Sequence, residues 1–342
     1  MDLDFTEEQQ MLGEMVRGMC AEYAPLEVVR AMEDDPTGYP EEFWKQLGEL
    51  DLLGLMIPEE YGGSGQTALE GAIVYAELGR SLAPSPHFAS SVMSAGVLAM
   101  AGSDEQKRTW LPKIASGDAI LTPAWLEPKG GYGPLGVQLR AVADGADYRL
   151  TGVKQHVLFA SAASRLLVLV RTGDGEEDVA LLLVDPKSPG VELTQQLSLA
   201  SDTQYKVSFD DVRVPAADRI GAEGSGWATW REVMYEGIIL LAAQAMGGAE
   251  RSLEITVQYT KDREQFGKPL GAFQAVAHYL ADASTEVDGG TTLVWEAAWA
   301  RSQGKSVKRL APMAKLFACQ TYRDMTAMCV QVWGGVGFTL EY

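Results

Sequence analysis

The stretch Tyr205-Lys206-Val207-Ser208-Phe209 decides the fold of the middle of this chain, because apolar and polar side chains alternate along it. A period of two is the pattern of a strand with one buried face. Two more short apolar runs, at 166–170 and 179–184, precede it and are separated by the turn-forming Thr172-Gly173-Asp174-Gly175. No helix of normal length fits between these strands. The pattern therefore favours a barrel or sandwich over a parallel sheet.

Helical periodicity flanks this region on both sides. On the N-terminal side, Thr6-Glu7-Glu8-Gln9 predicts a capping box ahead of an amphipathic helix. Three further helices are predicted there, at 41–50, 68–82 and 104–115. On the C-terminal side, long helices run from about Gly224 to Val332, with a joint at 267–271. The sequence thus predicts an α+β chain of several domains: a helical domain at 1–118, a β domain at 119–222 and a helical bundle at 223–342.

Composition excludes several classes of partner. The chain has 342 residues, of which 47 are acidic and 28 basic, for a net charge of −19. Such a surface repels phosphate backbones and anionic lipid, so we expect no nucleic acid and no membrane partner. An anionic substrate would need a local cationic patch.

The cysteines and the chain start indicate a reducing compartment. Cys20, Cys319 and Cys329 have no metal-binding or redox spacing, and the start Met1-Asp2-Leu3-Asp4 is acidic where a signal peptide is basic. The most apolar stretch, 237–246, is shorter than the roughly 20 residues of a membrane span and is interpreted as a buried helix. We expect a cytoplasmic protein.

Metal catalysis and serine hydrolysis are not supported. The three histidines, His87, His156 and His278, are too few and too scattered for a recognisable zinc or iron site. Ser64 and Ser225 lie among glycines, but no strand leads into either, as a nucleophile elbow requires.

Two motifs near helix ends have both a structural and a functional interpretation. Gly334-Gly335-Val336-Gly337 does not follow a strand, so it is not a Rossmann fingerprint, and glycines there are typical of a helix C-terminal stop. Arg263-Glu264-Gln265-Phe266-Gly267 is likewise compatible with an exposed last-turn arginine followed by a glycine cap.

These stretches, in this order, resemble the acyl-CoA dehydrogenase family over nearly the whole chain. The strongest pieces are Tyr259, Arg263, Gln265-Phe266-Gly267 and Phe273-Gln274, followed by Gln331-Val332-Trp333-Gly334-Gly335-Val336-Gly337-Phe338 with Glu341-Tyr342. Weaker pieces are Pro58-Glu59-Glu60-Tyr61-Gly62-Gly63, Leu126-Glu127-Pro128, Leu150-Thr151-Gly152-Val153-Lys154 and Phe209-Asp210-Asp211-Val212-Arg213-Val214-Pro215. The resemblance implies an N-terminal helical domain, a central β-barrel, a C-terminal four-helix bundle and non-covalent FAD, usually in tetramers built from dimers.

The resemblance also implies which residues bind FAD. Arg263 matches the arginine that reaches the FAD pyrophosphate of a neighbouring subunit, a role suited to a permanently charged fork of donors. Residues expected along the same dinucleotide are Phe266, Gln274, Gln331, Gly334 and Gly335. Trp125 and Leu126 match positions whose backbone meets the flavin ring.

Three positions depart from the family pattern around the flavin. Leu126 and Leu158 stand where threonines are common, and His156 stands where tryptophan is common. Both hydroxyls that would hydrogen-bond the flavin edge are therefore replaced, whereas backbone donors and an imidazole stacked on the ring remain.

The catalytic base is sought on the first long helix of the bundle. Glu236 is the nearest candidate, although counting from Gly247 it is one residue out of register, a rotation of about 100°. The alternatives are that Glu236 is a solvated or intersubunit acid and that the base lies beyond residue 342. Tyr235, Gly237 and Ile238 are expected to line the substrate pocket.

The first hypothesis for function is FAD-dependent α,β-dehydrogenation of an acyl-CoA thioester to trans-2-enoyl-CoA, with electrons passed to an electron-transferring flavoprotein by a homo-oligomer. A second is a non-catalytic or half-site subunit of a heteromeric acyl-CoA dehydrogenase, with a homologous partner subunit. A third is a flavin oxidase or monooxygenase on the same fold.

Overall fold

The computed structural model describes residues 4–341, which divide into two compact units. The helical unit contains residues 4–22, 67–83 and 238–341. The mixed unit contains residues 23–66 and 84–237, and it carries all of the long strands.

Helices dominate both ends of the chain. The α-helices of the described residues are α1 (Glu7–Tyr23), α2 (Leu26–Ala31), α3 (Glu41–Glu49), α4 (Ala68–Ser81), α5 (Ala95–Ala101), α6 (Asp104–Ala115), α7 (Gly226–Asp262), α8 (Gln274–Ser302) and α9 (Leu310–Trp333). A π-helical segment, Phe88–Ser94, leads into α5. The capping box at the start of α1 is confirmed, because Thr6 and Gln9 each accept a hydrogen bond from the other's backbone N–H.

Two glycines let α4 and α7 cross at backbone distance in the helical unit. A Cβ at Gly247 would lie 1.8 Å from the carbonyl oxygen of Ala76, and a Cβ at Gly79 would lie 1.9 Å from that of Gln244. No other residue fits at either position without separating the helices. The crossing thus fixes α7, whose apolar stretch at 237–246 is a buried helix as expected; Ile239 and Leu240, for example, are fully buried.

The long strands of the mixed unit form two four-stranded sheets. The strands of the described residues are β1 (Leu121–Ala124), β2 (Ala141–Asp144), β3 (Asp147–Leu158), β4 (Arg165–Arg171), β5 (Val179–Val184), β6 (Val191–Gln196), β7 (Gln204–Val214), β8 (Arg219–Ile220), β9 (Glu264–Gln265) and β10 (Lys268–Pro269). One sheet has the order β1-β4-β5-β8 and the other β2-β3-β7-β6, while β9 and β10 form a separate hairpin. Apolar side chains of both four-stranded sheets share one core.

The strand pairing is antiparallel except between β1 and β4. The three strands predicted from the sequence are confirmed as β4, β5 and β7, and β7 extends five residues beyond the predicted run. The middle region is thus a β domain with helical regions before and after it, as expected. No helix in residues 4–341 is long and apolar enough to cross a membrane.

Candidate functional site

The segment Trp125-Leu126-Glu127 follows β1 directly and lies beside β3 in the mixed unit. The backbone N–H of Gln155 donates to the carbonyl oxygen of Leu126 at 2.9 Å. Trp125 and Leu126 are half-buried, whereas Glu127 is buried. This hydrogen bond places Leu126 next to the part of β3 that carries His156.

A buried ion pair holds this segment in place. Lys154 Nζ donates to Glu127 Oε1 at 2.6 Å, and the Lys154 side chain is fully buried. The Glu127 carboxylate also accepts the backbone N–H groups of Gln138 and Leu139, each at 2.9 Å. Desolvation lowers the pKa of Lys154 to about 8, and the adjacent Glu127 opposes that shift. The pair thus ties the 125–127 segment to β3 and to the chain before β2.

An aromatic cluster surrounds Trp125. Its ring lies 5.6 Å from that of Trp230, on the second turn of α7, and 6.1 Å from that of the exposed Tyr132. Trp230 is almost completely buried, and its Nε1 has no hydrogen-bond partner among the described residues. A buried indole N–H normally has an acceptor, so this donor is available to a ligand beside Trp125.

His156 occupies an irregular position on β3. The β3–β7 register shifts between Lys154 and Val157, and His156 has a φ of 54°. Its backbone N–H donates to Gln196 Oε1 at 3.0 Å, and its Nδ1 lies 2.8 Å from Gln204 Oε1. A left-handed conformation costs a non-glycine residue of the order of 1 kcal/mol and persists only where its surroundings enforce it. The two glutamines thus hold an exposed imidazole at a strained bulge.

The first part of α7 belongs to the mixed unit and carries two of the predicted pocket residues, Tyr235 and Gly237. Glu236 and Tyr235 are half-buried there. Gly237 faces the π-helical segment, since a Cβ at this position would lie 2.7 Å from Met93 Sδ and 3.3 Å from Phe88 Cζ. Ile238 belongs to the helical unit, where it lines a groove together with Pro312, Leu316 and Cys319.

The predicted dinucleotide residues of the helical unit gather near the C-terminal ends of α7 and α9. The Tyr259 and Trp333 rings stack with centroids 4.3 Å apart, and Trp333 Nε1 donates to Thr256 Oγ1 at 3.0 Å. Arg263 follows Tyr259 by one turn and is exposed. No carboxylate of residues 4–341 forms an ion pair with Arg263, so its guanidinium is available to an anion.

The glycines after α9 leave an open stretch of backbone. Gly334 ends the helix with a φ of 65°, which agrees with a helix stop. Apart from their chain neighbours, no atom of residues 4–341 lies within 4 Å of a Cβ built on Gly334 or Gly335, so both also permit close approach of another molecule. Gln331 is exposed in the last turn of α9, and Gln274 is the exposed first residue of α8. Phe266 is 92% exposed at the tip of the β9–β10 hairpin, with a φ of 55°.

Family models match three consecutive parts of the chain. They are the N-terminal domain of acyl-CoA dehydrogenase at residues 6–118, its middle domain at 123–212 and its C-terminal domain at 224–342. The chain belongs to the acyl-CoA dehydrogenase family. It is therefore an oxidoreductase whose cofactor is FAD.

Individual family members resemble this chain over nearly its full length. The Bacillus subtilis protein named "Probable acyl-CoA dehydrogenase YngJ" is 33% identical over 100% of this chain and 92% of that relative. A Mycobacterium smegmatis glutaryl-CoA dehydrogenase in complex with FADH2 is 28% identical, with a TM-score of 0.90 over 99% of this chain and 87% of that one. One chain of the ChsE4-ChsE5 complex of Mycobacterium tuberculosis is 30% identical to this chain, with a TM-score of 0.87 over 99% of this chain and 90% of the matched chain.

The aromatic cluster and the helix ends carry groups that suit the parts of FAD. The flavin is a planar heteroaromatic ring with several hydrogen-bond acceptors, and the aromatic cluster with its unpartnered Trp230 N–H suits such a ring. A pyrophosphate suits the uncompensated Arg263 and the open glycine backbone. Leu126 and Leu158 offer no side-chain hydroxyl, so polar contacts at their positions come from backbone atoms.

Several residues of this site were not predicted from the sequence. Glu127 and Lys154 lie in stretches that resemble the family, but they are 27 residues apart in the sequence, so their pairing appears only in the structure. Trp230 follows the helical period and gives no separate signal. Gln196 and Gln204 are cross-strand neighbours, which only the β6–β7 register reveals.

Proposed function

We propose that the chain catalyses α,β-dehydrogenation of an acyl-CoA thioester to the trans-2-enoyl thioester. The observation that carries the proposal is the arrangement around Trp125, where a buried, unpartnered Trp230 N–H, a fixed backbone segment and the imidazole of His156 occur together in one unit. FAD bound there would supply the acceptor for the hydride from the β-carbon and the route by which two electrons reach an electron-transferring flavoprotein.

The protein groups bind the cofactor and remove the proton. In this proposal, Trp125, Leu126 and His156 contact the flavin ring, and Trp230 donates to one of its acceptors. Arg263, Phe266, Gln274, Gln331, Gly334 and Gly335 contact the dinucleotide held by a neighbouring copy of the chain. Glu236 takes the α-proton as general base, and the half-buried position of its carboxylate is compatible with this role.

Glu236→Gln tests the assignment of the base. We expect kcat with an acyl-CoA substrate to fall by about 10²- to 10⁴-fold, the usual contribution of a general base, while the amount of FAD per chain stays unchanged. Glu223→Gln is the matched control, because Glu223 is exposed in the turn before α7. Full activity of Glu236→Gln, measured with an artificial electron acceptor, would contradict the assignment.

A second candidate function is that of one subunit in a heteromeric acyl-CoA dehydrogenase. The departures at Leu126, His156 and Leu158 favour it, because a partner subunit would supply the flavin-edge groups that this chain replaces. The similarity to a chain of the two-protein ChsE4-ChsE5 complex supports it further.

Flavin content separates the two candidates. About one FAD per chain in the purified protein, with turnover of acyl-CoA and reduction of an electron-transferring flavoprotein, supports the homomeric enzyme. Lack of FAD binding by the chain alone, with FAD binding and activity restored by a copurifying homologous subunit, supports the heteromeric one.

A further inference from the structure

The hydrogen bond between His156 and Gln204 defines the imidazole tautomer. Gln204 Oε1 lies 2.8 Å from His156 Nδ1. The group of Gln204 that faces His156 is thus its amide carbonyl oxygen, which only accepts hydrogen bonds.

This orientation leaves one assignment for the protons of neutral His156. A carbonyl oxygen cannot donate, so Nδ1 carries the proton and donates to Gln204. Nε2 then holds a lone pair. Among residues 4–341, no group hydrogen-bonds Nε2, and the side chain is exposed.

The surrounding structure holds this imidazole at an energetic cost. His156 is the left-handed residue of the β3 bulge, and its backbone N–H is occupied by Gln196. Gln196 and Gln204 are directly paired across β6 and β7, so two neighbouring strands hold the same residue. Strain maintained in this way is common at functional sites.

We propose that Gln204 is a positioning residue that holds His156 as the Nδ1-protonated tautomer, so that Nε2 accepts a hydrogen bond from an N–H group of the bound isoalloxazine. The inference rests on the placement of the flavin beside Trp125 under the proposed function. Nε2 of His156 is then a hydrogen-bond acceptor at this end of the sheet, where Leu126 and Leu158 provide no side-chain hydrogen bond.

The tautomer is measured directly by ¹⁵N NMR of the histidine rings in the full-length protein, in the solid state so that the size of the assembly does not matter. The chain has three histidines, and His156→Phe assigns the signal of interest. His87 is an internal reference of opposite type, because its Nε2 lies 3.1 Å from the carbonyl oxygen of Leu52 and is therefore protonated. We expect a protonated Nδ1 and a bare Nε2 for His156 at pH 8.

Gln204→Met removes the acceptor for Nδ1, and we expect the His156 signal to shift towards the Nε2-protonated form. Gln195→Met is the matched control, since Gln195 donates to the Asp34 carbonyl oxygen and leaves the His156 signal unchanged. Should Gln204→Met fail to fold, Gln204→Leu provides the same test, because it also removes the acceptor. A protonated Nε2 in the unsubstituted protein, or an unchanged signal in both variants, overturns the positioning role.

FAD binding tests the second half of the proposal. Loss of one hydrogen bond predicts an increase of the FAD dissociation constant by about 3- to 10-fold in both His156→Phe and Gln204→Met, with none in Gln195→Met. Unchanged affinity in the first two overturns the contact with the flavin. Neither readout needs turnover, so absence of dehydrogenase activity would overturn the proposed function and leave this inference standing.

Discussion

At the scale of single residues, the mixed unit buries several ionisable groups, each stabilised in a different way. Lys154 is paired with Glu127. Arg171 is buried without a carboxylate partner among the described residues, and its guanidinium donates to the carbonyl oxygens of Pro134, Val137 and Gly175 instead. His87 is neutral, because burial lowers its pKa to about 4. Removing any of these partners leaves a buried polar group unsatisfied.

His87 makes stability depend on pH. Its pKa is 6.5 when exposed and about 4 in the folded chain, so between these values the unfolded chain binds a proton that the folded chain does not. The free energy of unfolding therefore falls as pH drops from 6.5 to 4, by up to about 3 kcal/mol. Urea unfolding of His87→Gln across this range should show a correspondingly flatter pH profile.

The control for His87 is His278→Gln, because His278 is exposed. Its pH profile should match that of the unsubstituted protein. Identical slopes for all three proteins would show that His87 titrates normally in the folded chain.

Residue roles were predictable from the sequence only where they depend on neighbours along the chain. The capping pair Thr6 and Gln9 is local and was predicted. The left-handed conformation of His156 was not, because it depends on glutamines 40 and 48 residues away. The resemblance indicated which positions surround the flavin, but the groups that hold them come from strands whose register the sequence does not determine.

At the scale of elements, α7 carries contacts with different requirements along its length. Gly237 packs against Met93 and Phe88. Almost three turns further along the helix, Gly247 packs against the backbone of α4. The apolar period predicted the helix, but it did not reveal that two of its glycines are contact points. A glycine in a helix does not by itself indicate a close contact, since Gly289 of α8 has open space where its Cβ would lie.

Gly247→Ala should destabilise the protein, because the new Cβ would lie 1.8 Å from the Ala76 carbonyl oxygen and would force α4 and α7 apart. We expect a loss of about 1–3 kcal/mol in the free energy of unfolding, measured by urea titration. In the matched substitution Gly289→Ala, the new Cβ meets no atom of the described residues within 4 Å outside its own helix backbone, and it should stabilise α8 by up to about 1 kcal/mol. Equal effects of the two alanines would disprove the close crossing.

At the scale of the whole molecule, the strongly acidic chain has to bind a dinucleotide with two phosphates. Its net charge of −19 gives no long-range attraction for them, so affinity depends on individual cations. Arg263 is such a cation, exposed and without an ion pair among the described residues. If a neighbouring copy supplies it, as proposed, cofactor retention and assembly are linked.

Arg263→Gln should weaken FAD binding by about 10- to 100-fold, the contribution of a charge-assisted hydrogen bond to phosphate. Fluorescence titration of the flavin-free protein with FAD measures the change. Arg108→Gln removes the same charge from an exposed site on α6 and should have no effect. Equal dissociation constants for the two variants would exclude Arg263 from the phosphate site.

The division of the chain into units has a consequence for biosynthesis. Residues 4–22 and 67–83 leave the ribosome early, but the rest of their unit, 238–341, is translated last. The mixed unit is complete in the meantime, after residue 237. At about 5–20 residues per second, α1 and α4 spend several seconds without the helices they pack against. We expect their apolar faces to require chaperone protection during this interval, so that the speed of translation affects the yield of folded protein.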